Sequence, residues 1–294
     1  MEKSKVYFTK NITPSSLVKM FNVLKKDLPG KVGVKISTGE IGNNNYLSPS
    51  LIKDLVSLVS GTLVECNTAY AGHRNSTSAH LETIKEHGFL EVSEVDIMDS
   101  EGEFAIPVNN GFHLDKNYVG NHLKNYDSLI MLSHFKGHPM GGFGGALKNM
   151  SIGVASSSGK AYIHTGGKSK DTSTLWQNIC SQNTFLESMA DADKSVVEYM
   201  KGNIVYINVI NNLSVDCDCV SSPEKICMSD IGIVSSLDPV AIDKTCTDLI
   251  YNSKDPGSSH MIERIERQNG LHILEAAESL GIGSRSYELI EIDN

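Results

Sequence analysis

Seven short strand-like runs, separated by helical patterns, constrain this chain more than any other feature. They lie at "KVYFT" (5–9), "KVGVKIS" (31–37), "TLVECN" (62–67), "EVDIM" (94–98), "SLIMLS" (128–133), "NIVYINVI" (203–210) and "DIGIVSS" (230–236), and most are rich in β-branched residues. Helices are signalled between them. Thr13-Pro14, Ser48-Pro49 and Asp238-Pro239 each set a capping oxygen before a proline, and proline in the first helical turn loses no hydrogen bond there. The stretch 184–202 carries Phe185, Met189, Val196, Val197 and Met200 at helical spacing. Strands alternating with helices form parallel sheets covered on both faces. The expectation is an α/β protein with mostly parallel sheets. Residues 166–182 are polar and aperiodic and read as a connector, so the chain divides into an N-terminal α/β domain (1–168) and a C-terminal α/β domain (183–294), with the site at their interface.

Charge and hydropathy exclude several function classes. The 26 Lys and Arg stand against 35 Asp and Glu, a net charge of −9 without any basic run, which argues against a nucleic-acid partner. No apolar run approaches the ~20 residues needed to cross a bilayer. The N-terminus "MEKSKVYFTKN" enters a strand-like segment without a signal-peptide core. A cytoplasmic protein without membrane association is expected. Six cysteines, at 66, 180, 217, 219, 227 and 246, do not make a small-domain disulfide framework, and such a compartment keeps thiols reduced. Disulfides are not expected. Cys66 and Cys246 fall in strand and helix patterns and read as core.

The stretch "SHFKGHPMGGFGGALKNMSIG" (133–153) carries Gly137, Gly141, Gly142, Gly144 and Gly145 with two histidines and two lysines, of which His138 and Lys148 are the large polar groups left on the bare backbone. Glycine at this density marks tight turning or close approach of backbone to a ligand. No Walker A or G-x-G-x-x-G pattern can be written through it. It follows the 128–133 strand, however, and ligands of α/β sheets bind beyond the carboxyl ends of strands. A binding loop and a tight packing turn both remain open.

Three more stretches share this placement. "STGEIGNNN" (37–45) offers Glu40, and "NTAYAGHRNSTSAH" (67–80) offers His73 and Arg74. Ser76 or Thr77 would cap the helix carrying His80, which places His80 on its surface. "SSSGKAYIHTGG" (156–167) adds Lys160 and His164. His138, Lys148 and His164 could act as base, covalent anchor or metal ligand if their loops share one sheet edge.

"VDCDCVSSPEKICMSD" (215–230) is a second constellation. Cys217, Cys219 and Cys227 could bind a soft metal; if 215–219 is a strand, Cys217 and Cys219 share one face, and a core pair of thiols is equally consistent. Asp238 reads as a helix cap, Asp243 as facing the domain cleft, and Trp176 as a packing residue of the connector.

The glycine stretch extended to His164, with "VDCDC" (215–219) and "DIGIVSSLDPVAID" (230–243), resembles the family called domain of unknown function 362, often labelled an uncharacterised Fe–S centre protein. Many members carry a ferredoxin-like insert after the position of His164. Here only Cys180 lies in that gap, so a ferredoxin-type pair of [4Fe–4S] clusters cannot be ligated there. A separate ferredoxin partner could supply the missing insert. A fainter resemblance links "AGHR" (71–74), His138, "GFGGALK" (142–148) and His164 to lactate racemase and its relatives. It implies that His73 and His138 are the proton-transfer pair, Lys148 the covalent anchor of a nickel-pincer nucleotide, and His164 the nickel ligand. Gly144 replaces the loop serine of those enzymes.

Three readings follow. The first is a metal- or cofactor-dependent enzyme acting on a small 2-hydroxy acid or related metabolite by proton or hydride transfer. It uses His73, His138, Lys148 and His164, with Arg74 and Gly141, Gly142, Gly144 and Gly145 around the cofactor. The second is an iron–sulfur or metal-binding redox protein using Cys217, Cys219 and Cys227. The third is a non-catalytic anion-binding module built on the glycine-loop amides and Lys148. The sequence itself names neither cofactor nor substrate.

Overall fold

Successive residues of a strand face opposite sides of its sheet, and the 128–134 run uses this alternation to feed two cores. Leu129 and Met131 enter one, and Ile130 and Leu132 the other. The 204–210 run does the same, with Tyr206 and Ile210 on one side and Val205, Ile207 and Val209 on the other. Strands buried on both faces need helices on both, and the structure, a computed structural model describing residues 3–293, supplies them.

The first part of the chain forms β1 (Ser4–Thr9), α1 (Pro14–Asn22), β2 (Val32–Lys35), α2 (Pro49–Leu58), β3 (Thr62–Glu65), α3 (Thr77–Glu86) and β4 (Val95–Ile97). A hairpin follows, β5 (Glu103–Pro107) and β6 (Lys116–Gly120), then β7 (Ser128–His134), a second small hairpin of β8 (Lys136–His138) and β9 (Gly142–Gly144), and helices α4 (Ala146–Val154) and α5 (Ser157–His164). The remainder forms α6 (Gln182–Tyr199), β10 (Ile204–Ile210), β11 (Gly232–Ser236), α7 (Pro239–Tyr251), α8 (Ser258–Arg267), α9 (His272–Ser279) and β12 (Tyr287–Glu291). All seven strand-like runs are strands. The three proline signals all start helices, with Thr13, Ser48 and Asp238 accepting amide hydrogen bonds as caps.

Eight strands make one sheet in the order β12-β1-β11-β10-β7-β2-β3-β4. Only β11 runs antiparallel to its neighbours. The expected division at 168/183 does not divide this sheet: β10 pairs in parallel with β7, Ile204 opposite Leu129 through Val209 opposite His134, and β1 lies between β11 and β12. The separate sheets expected for 1–168 and 183–294 are thus one. The physical reason is that β10, buried along its whole length, needs a hydrogen-bonding neighbour on each edge. No helix among the described residues is long and apolar enough to cross a membrane.

Candidate functional site

The chain goes from β2 to β3 and β4 on one side, while β7 and β10 lie on the other. Such a reversal opens a crevice at the carboxyl ends of the two central strands. The loops after β2, β3 and β7 converge here, and the long 211–231 connection after β10 crosses them.

The glycine run makes these loops meet. A Cβ on Gly137 would lie 2.4 Å from the carbonyl oxygen of Val215, so the backbone carrying the C-x-C loop can approach only a glycine. A Cβ on Gly145 would lie 2.3 Å from Asp243 Oδ1. That carboxylate accepts from the amides of Ala146 and Leu147 at 2.8 and 3.0 Å and from Asn208 at 2.7 Å. Asp243 therefore occupies the N-terminus of α4, the place where an anion would bind. Met140 and Gly141 likewise donate to His138 Nδ1, at 3.2 and 2.8 Å. These four amides are already paired within the protein.

A mainly apolar cavity of about 280 Å³ lies beside this run, lined by Tyr70, His138, Met140, Lys148, Ile152, His164, Trp176, Phe185 and Cys219 among others. Four of the expected site residues, His138, Lys148, His164 and Cys219, thus come together. Lys148, on the first turn of α4, makes no hydrogen bond or ion pair among the described residues. Burial, reinforced by the charges of Lys136, Lys35 and Arg74, lowers its pKa to about 7, so the amine is half neutral at physiological pH.

The two histidines are held in opposite tautomers. His138 Nδ1 accepts two amide hydrogen bonds, so the neutral ring carries its proton on Nε2; burial, aided by Lys148 and Lys136, keeps its pKa well below the usual imidazole range. His164 Nδ1–H donates to the Lys160 carbonyl at 2.7 Å, which leaves Nε2 with its lone pair, and burial lowers its pKa to about 4. The cavity therefore has one imidazole that donates and one that accepts or ligates.

A much smaller, polar recess of about 20 Å³ lies on the other side of Lys148, lined by Ser37, Ser133, His134, Lys136, Gly144, Gly145 and Asn149. Lys136 pairs with Asp218 at 2.7 Å, and Asp218 also meets His134 Nδ1 at 2.8 Å. Burial works against that carboxylate, but His134 and Lys136 hold its pKa well below the ordinary range. Beneath lies Lys35, whose pKa burial lowers to about 8, bonded to Asn149 at 3.1 Å.

Other expected residues lie elsewhere. His73 is exposed; its amide donates to Glu40 at 2.9 Å, and its side chain does not line the cavity. Arg74 is buried against Glu65 and Glu40, at 3.4 and 3.8 Å. His80 is a correction: it is fully buried, 2.7 Å from Glu65, because α3 packs that face over the end of β3. Gly141, Gly142, Gly144 and Gly145 are buried in the hairpin and at the start of α4.

The cysteines also depart from expectation. Residues 215–219 form a loop, not a strand, and Cys217 and Cys219 are joined by a disulfide, where reduced thiols were expected. The loop brings the two sulfurs together in place of setting them along a strand face. A ring nitrogen of His138 and both sulfurs lie within 4.8 Å of one another. Cys227 stands apart from that group, its Sγ donating to the Leu213 carbonyl at 3.3 Å. Cys66 and Cys246 are buried in the core as expected.

The sequence matches the family described as domain of unknown function (DUF362) over residues 32–248. The chain belongs to this family. No curated protein matches it. Among solved structures, this DUF362 chain is similar to the lactate racemase apoprotein from Thermoanaerobacterium thermosaccharolyticum, at 14% identity and a TM-score of 0.40, over 71% of this chain and 51% of that one. It is also similar to a structural-genomics target protein from Thermotoga maritima, at 12% identity and a TM-score of 0.43, over 92% of this chain and 60% of that one. The DUF362 chain thus aligns with less than two thirds of either neighbour.

Proposed function

We propose that this chain is a cofactor- or metal-dependent enzyme acting on a small metabolite such as a 2-hydroxy acid, by proton or hydride transfer. One observation carries the reading: an unpaired, half-neutral Lys148 lines a mainly apolar cavity with two neutral histidines of opposite tautomer. Structural lysines are paired or solvated, whereas a desolvated amine near neutrality is a nucleophile. His138 offers a hydrogen bond from Nε2–H to a substrate oxygen that gains negative charge during the transfer.

The same residues fit the group that the racemase-like motifs imply. Lys148 has the free amine needed for a covalent link, and the Nε2 lone pair of His164 is oriented by the Lys160 carbonyl as metal-bound histidines are by their outer partners. A nickel-pincer-type nucleotide held there would supply a hydride acceptor, which side chains lack. Its phosphate would not rest on the start of α4, because Asp243 holds those amides. The pairing of the loop amides also weighs against a simple anion-binding module.

The test is denaturing intact mass with metal analysis on protein purified without oxygen from its native host. The expected result is an adduct mapping to Lys148 with stoichiometric metal, both lost in Lys148→Ala. Unmodified, metal-free protein whose turnover of 2-hydroxy acids is the same with and without Lys148 would end this reading.

A further inference from the structure

We infer that Cys217 and Cys219 form a reversible dithiol–disulfide couple at the cavity wall, a thiol-exchange site that takes a dithiol as its reductant. This does not depend on the cofactor reading of Lys148.

A structural staple is the obvious alternative, and the loop does not need one. Asp218, between the two cysteines, is tied to His134 and Lys136. Its carbonyl accepts from Glu40 N at 2.8 Å. Asn43 Nδ2 donates to the carbonyls of Cys217 and Val220, and Arg264 donates to the carbonyl of Val215 and to Asp216. The two sulfurs are thus positioned by other contacts whether or not they are bonded. A disulfide stabilises chiefly by closing a loop in the unfolded chain, an effect that shrinks with loop length. Cys217 and Cys219 are two residues apart, close to the shortest loop a disulfide can close.

The surroundings favour exchange. Cys219 is half-buried and lines the cavity, while Cys217 is buried behind it. His138 has a ring nitrogen within 4.8 Å of both sulfurs and, with its proton on Nε2, is a donor beside a thiolate that forms there. The same tautomer disfavours a metal shared by His138 and the two sulfurs, since a ligating Nε2 would put a proton on Nδ1, facing the amides of Met140 and Gly141.

In the exchange, one thiolate of the dithiol attacks Cys219 Sγ, the S–S bond breaks, and the electron pair leaves on Cys217 as a thiolate that His138 stabilises. The second thiolate of the reductant then attacks its own sulfur in the mixed disulfide and frees Cys219. Two electrons and two protons pass to the protein pair, and the reductant leaves as a disulfide.

The experiment treats the native full chain with dithiothreitol, quenches with an alkylating reagent, and counts labelled cysteines by peptide mass. Cys217 and Cys219 should become labelled together under native conditions, re-form their bond on oxidation, and react at least tenfold more slowly in His138→Phe. In Cys217→Ser, the remaining Cys219 should react with 4,4′-dithiodipyridine at least tenfold faster than Cys180 of the same protein. Faster reduction by a catalytic amount of reduced thioredoxin than by dithiothreitol would point to a protein dithiol, and the reverse to a small one; either supports the couple. A bond that resists reduction until the chain unfolds would overturn the inference. So would a thiol pair isolated with stoichiometric zinc or nickel bound through both sulfurs.

Discussion

Replacing Lys148 with methionine keeps a side chain of similar length in the cavity and removes its titration. Folding moves this amine from a pKa of 10.5 to about 7. At about 1.36 kcal/mol per unit, the shift corresponds to roughly 5 kcal/mol against the protonated form, and to about 2 kcal/mol once water entering the cavity is allowed for. The sign follows from proton counting. Between pH 7 and 10.5 the unfolded lysine binds a proton that the native one does not, so the wild type gains stability as pH rises across that window, and the full cost is present below it. Lys148→Met should therefore be more stable than the wild type by about 2–5 kcal/mol at pH 6.5, with the difference shrinking toward zero near pH 10. Urea unfolding at pH 6.5, 8 and 9.5, with equal m-values as the check on two-state behaviour, measures this directly. Parallel pH profiles for the two proteins would show that Lys148 is charged in the fold, and the neutral-nucleophile reasoning would fall.

Asp218→Ala leaves Lys136 and His134 buried beside an empty space and should cost about 3–5 kcal/mol, read as a lower urea midpoint. Asp218→Asn, which retains hydrogen-bonding atoms, should cost less; equal losses would contradict the ion-pair assignment. Gly145→Ala forces a Cβ onto the Asp243 carboxylate and should destabilise by about 1–3 kcal/mol, whereas Gly144→Ala, whose Cβ would meet only side-chain carbons at 3.7 Å or more, should cost measurably less in the same titration. Trp176 is the only tryptophan and lines the cavity beside Tyr70. Occupancy of the cavity should therefore change intrinsic tryptophan fluorescence in a saturable way, and a ligand that binds without changing it would lie elsewhere.

The sheet was legible because each large strand is a compact apolar run between turn formers, and because proline fixes helix starts by a local rule. The small hairpins were not. The β8–β9 pair contains Lys136, Gly137, His138, Gly142, Phe143 and Gly144, with no apolar alternation to announce a strand, and is formed where the 211–231 loop and α8 press on it. The edge strand β12 is largely exposed and follows β1 only through its parallel pairing. The single sheet was hidden for a related reason: a polar connector signals a break in chain regularity, not in strand pairing. Its members still lie against the cavity, through Trp176.

At the site, residue type and spacing found His138, Lys148 and His164, but not what makes them differ. The donor role of His138 comes from amides two and three residues onward, and the acceptor role of His164 from a carbonyl one helical turn back, so each tautomer is set locally once the backbone has folded. The state of Lys148 is set by burial and then, remotely, by Lys136, Lys35 and Arg74 arriving from three other segments. Asp243, 95 residues beyond Lys148 in sequence, fills the helix terminus that the glycine run suggested for a ligand. The loop amides are paired with the protein's own side chains, whereas the Lys148 amine at the cavity has no partner among the described residues. The bare backbone serves to bring the C-x-C loop and the carboxylate close enough to frame it.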